Sequence, residues 1–268
     1  MTVSSASIRT SIDAIAGRLA ACLILVTGLA AAAAQGGERE DFLAGRSREC
    51  PRCDLAGMNF KRRDLSGANL AGANLRNTNF HDARLVGARL GGADLTGANL
   101  NKADLSRAEL AGATLREAML YAANLDGAKL GGADLTEARM GVARLSRSDL
   151  SKATLKDTDL RKGRLAEATL AGANLDGAAL DFAFLRGAQL AGASLLGARL
   201  MGIEAADAGL AGADLSGADA SGANLRGADL SHAVLAGTIL RRANLYGSTI
   251  EGAVLRATVM PDGTVSDP

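Results

Sequence analysis

The stretch Ala88-Arg89-Leu90-Gly91-Gly92-Ala93-Asp94-Leu95-Thr96-Gly97-Ala98-Asn99-Leu100-Asn101-Lys102 repeats itself every five residues: a small residue, a polar one, a leucine, then two residues that vary. Followed outward from here, the period never breaks between Leu55 and Leu255, and thirty-nine of its forty-one large positions are Leu, Phe, Met or Ile. The exceptions are Ala205 and Ala220. Two residues before the large positions stands a second series, Ala in thirty-one cases and small in thirty-eight. A fixed repeat of this kind decides the architecture before any element is assigned.

A helix cannot use a period of five. At about 100° per residue each step rotates the leucine by roughly 140°, so no apolar stripe forms. A long strand fails as well, because an odd step sends successive leucines to opposite faces. What remains is a three-residue strand followed by a two-residue corner. The small residue and the leucine point inward, and the Asp or Asn between them points out. Gly fills the second corner position in twenty-two units, among them Gly67, Gly72, Gly92 and Gly97. There it supplies the positive φ of a type II turn.

Units such as Ala68-Asn69-Leu70-Ala71-Gly72 and Ala93-Asp94-Leu95-Thr96-Gly97 resemble the A(D/N)LXX signature of the pentapeptide repeat family. The resemblance spans residues 53–257. It implies an all-β fold, a right-handed quadrilateral parallel β-helix in which four units make one coil, about ten coils in all. If twenty residues make a coil, Arg89, Glu109, Lys129 and Asp149 form an outward column of alternating sign. Residues 1–34 contain an uncharged run, Leu19 to Ala34, that ends in small residues. It reads as a cleaved bacterial signal directing the protein to the periplasm or outside the cell, with a membrane association expected only if it is left uncleaved. Residues 35–52 are a linker and N-terminal cap, and 258–268 a C-terminal tail.

Composition narrows the function. The chain of 268 residues carries 30 Lys and Arg against 29 Asp and Glu, so neither the basic footprint of a nucleic-acid binder nor a strongly acidic surface is present. Neither nucleic acid nor a small-molecule substrate is expected as a partner. His81 and His232 lie about seven coils apart and cannot share a catalytic site. No enzymatic activity and no cofactor or metal is expected. The expected role is a structural spacer or protein–protein interaction scaffold with an unknown protein partner. The resemblance also raises an alternative, a DNA-mimicking protein that binds a topoisomerase such as gyrase, against which the neutral charge and the leader both argue.

Two surface departures are candidate contact sites. Seven consecutive corners from Glu137 to Glu167 lack Gly, which suggests a different turn type. The same stretch is basic and includes Lys156, Arg161, Lys162 and Arg164. Phe182 and Phe184 occupy a corner and an outward position, with Met201 one coil above, either as a partner site or with Phe182 folded over its own corner. Cys50 and Cys53, in Cys50-Pro51-Arg52-Cys53, are candidates for a tight local disulfide or a buried reduced cap. An open last coil favours an end-to-end homodimer. Ala220, lacking any compensating neighbour, is expected to leave a small void.

Overall fold

The computed structural model describes residues 37–267, so the expected leader lies outside the described residues. The chain divides into two compact units, the first ending at Ser47 and the second beginning at Arg48. Within the first, one short helix, α1, spans 37–43, and Arg46 Nε donates to Asp41 Oδ1 at 2.8 Å just after it. Among the described residues no helix is long and apolar enough to cross a membrane.

The second unit is a right-handed quadrilateral β-helix. Each outward residue pairs in parallel with the residue twenty positions on, without interruption from Glu49↔Asn69 to Ile239↔Val259. Four walls result. Wall one carries Asp54, Asn74 and Asp94; wall two Asn59, Asn79 and Asn99; wall three Asp64, Arg84 and Asp104; wall four Asn69, Arg89 and Glu109. Successive coils are one strand spacing apart, about 4.8 Å. Leu95, Leu115 and Leu135, stacked behind wall one, are fully buried, as are the alanines two residues before them. The interior is therefore a column of leucines with alanines at the flanks, in which the only aromatics among the described large inward positions are Phe60 and Phe80, stacked with ring centres 5.4 Å apart.

The backbone explains why five residues suffice. In the unit ending at Gly72, the Asn69 N–H donates down to Arg48 C=O at 2.8 Å, while Leu70 and Gly72 donate up to Arg89 and Gly91. The turn closes when Ala73 N–H donates to Leu70 C=O at 3.1 Å. Only the first corner N–H lacks a backbone acceptor, and the outward Asp or Asn supplies one. Asn99 Oδ1 accepts from Asn101 N–H at 3.2 Å, and Asp104 Oδ1 from Ser106 N–H at 3.0 Å. This local side-chain bond is the reason Asp and Asn dominate the outward position.

The second corner residue has positive φ in every unit, glycine or not. The Gly-free run therefore does not use another turn type, contrary to expectation. Glu137, Val142, Arg147, Lys152, Asp157, Lys162 and Glu167 adopt φ values of 59, 52, 58, 57, 55, 57 and 59°, the same left-handed corner that glycine makes elsewhere. Hydrogen bonding to the adjoining coils fixes the backbone and overrides side-chain preference.

The ends depart from the leucine rule. The coil starts at Arg48, one unit before the first leucine, because Cys50 takes the large inward place and Cys53 the small one. The two are buried and joined by a disulfide, with Cα atoms 5.3 Å apart. Between them Pro51 and Arg52, the latter at φ 56°, form the same corner. At the far end residues 261–267 turn back on wall two. Val265 pairs antiparallel with Val259, Met260 N–H donates to Thr264 C=O at 2.7 Å, and Ser266 N–H donates to Thr258 C=O at 2.9 Å. These are two of the groups that a further coil would otherwise engage. On the other three walls the amides of Leu245, Ile250 and Leu255 have no backbone partner among the described residues. Inside, Ile203, Ala205 and Ala220 line an apolar void of about 10 Å³, so the shortage of volume is shared by both alanines of one turn.

Candidate interaction surface

Wall three turns the two sequence-level candidates into one surface. Arg164 bridges directly to Phe184, which bridges to Glu204, so cation, aromatic and carboxylate are consecutive rungs of one ladder. On the corner between walls two and three, Lys162 lies one coil below Phe182. Phe182 is 52% exposed, Phe184 46% and Met201 43%. The Phe182 ring lies over the corner of the next coil: a Cβ on Gly202 would stand 2.8 Å from it. The ring thus rests on its own chain through one edge and still offers its other side to solvent.

Not every basic residue joins this surface. Arg161 is held bidentate by Asp159, at 2.8 and 2.7 Å, which largely neutralises it. The same contact holds the Asp159 carboxyl below the usual carboxylate range. Arg144, below Arg164, is tied to Asp126. Lys156 is exposed on the corner between walls one and two, away from wall three. Lys162 and Arg164 are the cations next to the phenylalanines.

Above them runs a groove of about 850 Å³ that periodicity did not single out, lined by Phe184, Arg186, Glu204, Asp207, Arg226 and Tyr246. Tyr246 is the most exposed aromatic of the described residues, and the Arg226 guanidinium stands 5.9 Å from its ring centre. Asn224 Nδ2 donates to Glu204 Oε2 at 2.8 Å, and Arg186 Nε lies 3.9 Å from Asp207 Oδ2. Reading Tyr246 as a first-corner residue, and stacking it on Arg226 and Arg186 twenty and sixty residues earlier, would have found this column.

The histidines stand on different corner edges. His232 leans over Gly252 beside Asp229, whose Oδ1 is engaged by Ser231 N–H at 2.9 Å as in every other unit of its type. Among the described residues no three His, Cys, Asp or Glu side chains are grouped to hold a metal ion.

Residues 53–92, 88–127, 123–161, 168–204, 208–247 and 221–256 match the family model described as pentapeptide repeats. The chain is similar to the crystal structure of HetL from the cyanobacterium Nostoc, a pentapeptide repeat protein involved in heterocyst differentiation regulation. Identity is 33% and the TM-score 0.57, over 86% of this chain and 98% of that one. Similarity to full-length QnrB1, a plasmid-mediated fluoroquinolone resistance protein, is weaker, at 20% identity and a TM-score of 0.46 over 76% and 92%. A pentapeptide repeat protein of the Arabidopsis thaliana thylakoid lumen matches at 32% identity and a TM-score of 0.22 over 47% and 73%. No curated protein matches the chain.

Proposed function

Because this chain belongs to the pentapeptide repeat family, whose members are generally not enzymes, we propose that it is a non-catalytic scaffold that binds a protein partner through wall three, in an oxidising compartment outside the cytoplasm. One observation carries the reading: Lys162 beneath Phe182 and Arg164 beneath Phe184 make a continuous cationic and aromatic surface on wall three and its corner with wall two. Elsewhere outward charges are matched along the ladder, as where Lys129 meets Glu109 at 3.1 Å, and such self-paired walls have little to offer a partner. A contiguous exposed apolar cluster rimmed by charge marks a contact site more often than scattered residues do. The compartment reading rests on the leader and on the Cys50–Cys53 bond, since disulfides persist where the milieu is oxidising.

Two measurements test this reading. Capture of partners from a cell extract by the tagged protein is expected to be lost in the double variant Phe182→Ser, Phe184→Ser; an unchanged set of captured proteins would dismiss the surface. N-terminal sequencing of the mature protein after cell fractionation is expected to find an extracytoplasmic chain starting near residue 35. A cytoplasmic chain that keeps residues 1–34 would overturn the compartment.

A further inference from the structure

The exposed groups on wall three and its two flanking corners are complementary to themselves. In each corner column residues recur every twenty positions, one coil apart. Between walls two and three the column reads Lys162, Phe182, Gly202, Gly222, Arg242, Asp262. Inverting it about the midpoint of Gly202 and Gly222 sets Lys162 level with Asp262 and Phe182 level with Arg242. On wall three the same inversion sets Glu204 level with Asn224. On the corner toward wall four it sets Arg186 level with Tyr246, and Ala206 and Asp207 level with Arg226 and Gly227. The same inversion sets Phe184 level with Asn244 and Met201 level with Ser221. Lys162–Asp262 is thus an opposite-charge pair, Phe182–Arg242 and Arg186–Tyr246 are cation–aromatic, Glu204–Asn224 is hydrogen-bonding, and no like charges meet among these pairs. A two-fold axis lying in the plane of the wall, along the strands, performs that inversion while keeping each corner opposite itself.

Resting on the reading of wall three as a contact surface, we infer that its occupant is a second copy of this chain, packed side by side and antiparallel about a two-fold axis level with the midpoint of Gly202 and Gly222. The interface is isologous, so each contact occurs twice. Contacts of the same two kinds are already made within the chain between neighbouring coils, where Asn224 donates to Glu204 and Arg226 stands over Tyr246. The groove between Phe184 and Tyr246 gives the partner's own Tyr246 and Arg186 a place to enter. The overlap runs over about five strand spacings, some 24 Å. It therefore falls toward the small end of protein interfaces, and association depends on protein concentration.

Sedimentation equilibrium of the full chain over a wide concentration range tests the inference. The parent is expected to pass from monomer to dimer. Lys162→Glu and Asp262→Lys are each expected to raise the dissociation constant about tenfold or more by setting like charges level. The double exchange is expected to restore the parent value. In one chain these residues are five coils apart, about 24 Å, so rescue reports a contact between chains. Thermal unfolding of each variant at the parent temperature would show that the tail around Asp262 is still folded. A parent that stays monomeric at the highest concentration, or a dimer indifferent to both single exchanges, overturns the inference. A dimer abolished instead by Ile250→Glu with Val254→Glu assigns the contact to the open end of the helix, and also overturns it. If the parent is monomeric while Phe182→Ser, Phe184→Ser still abolishes partner capture, the contact surface stands and only its occupant is wrong.

Discussion

At the scale of single residues, the corner glycines do two things. All corners need positive φ, yet at Gly97, Gly177, Gly202, Gly227 and Gly252 a side chain from the coil below also occupies the place of the missing Cβ. Gly202→Ala should therefore cost about 1–3 kcal/mol, through backbone strain and collision with the Phe182 ring. In thermal unfolding, Phe182→Ala with Gly202→Ala should recover the collision part and leave the backbone part. The outward carboxylates make a prediction with pH. Partial burial pushes Asp94 and Asp134 upward, but the hydroxyl and amide of Thr96 and Thr136, with Arg76 and Arg116, outweigh it and hold both below 3.8. A folded value below the unfolded one stabilises fully above about 3.8 and loses that contribution as pH falls through the folded value. The unfolding temperature should accordingly drop on acidification below about pH 4, and less steeply in Asp94→Asn, Asp134→Asn.

At the scale of the repeating unit, strain and volume are unevenly spread. Val142 is β-branched at φ 52°, a conformation such residues rarely adopt. Val142→Gly should raise stability by about 1 kcal/mol, net of the entropy glycine adds to the unfolded chain. Ala220→Leu should fill the void shared with Ala205 and raise the melting temperature by about 2–4 °C for each kcal/mol gained. A fall instead would mean that Ile203 already uses that space. The inward, outward and corner roles of every position were legible in the sequence because one period dictates them all. The turn type of residues 137–167 was not, since glycine content reports the comfort of a corner and says nothing about its geometry. Hydrogen bonds from the coils on either side decide that. The threonines at small positions of wall two were similarly hidden. Thr78 and Thr158 are buried because each hydroxyl donates to a carbonyl, of Leu55 and Leu135, that only the stacked coils bring near.

At the scale of the whole β-helix, the candidate surface was half visible. The basic stretch and the phenylalanines could be named from the sequence, but as separate features, because Lys162 and Phe182 are twenty residues apart in the chain and one strand spacing apart in space. The groove beyond them needed Arg186, Arg226 and Tyr246 to be stacked on one corner, which a five-residue view does not do. The N-terminal boundary escaped for a chemical reason: a buried disulfide at Cys50 fills the place of a leucine. Closing a loop that short contributes about 2 kcal/mol by chain entropy, so Cys53→Ser, or the parent in reductant, should melt a few degrees lower. No change would show that coil stacking alone secures that end.

The uniform four-walled turn also makes the molecule an angular counter. Because five residues advance the chain by one wall, inserting or deleting a single pentapeptide anywhere between Leu105 and Leu125 would leave the core leucines in phase. Every downstream feature would swing a quarter revolution about the axis, carrying Phe184 to a neighbouring side. A twenty-residue duplication would instead return each feature to its original bearing and only lift it along the axis. Heredity can thus adjust the aim and the height of such a surface separately, by indels of different size, without a single change to the residues that compose it.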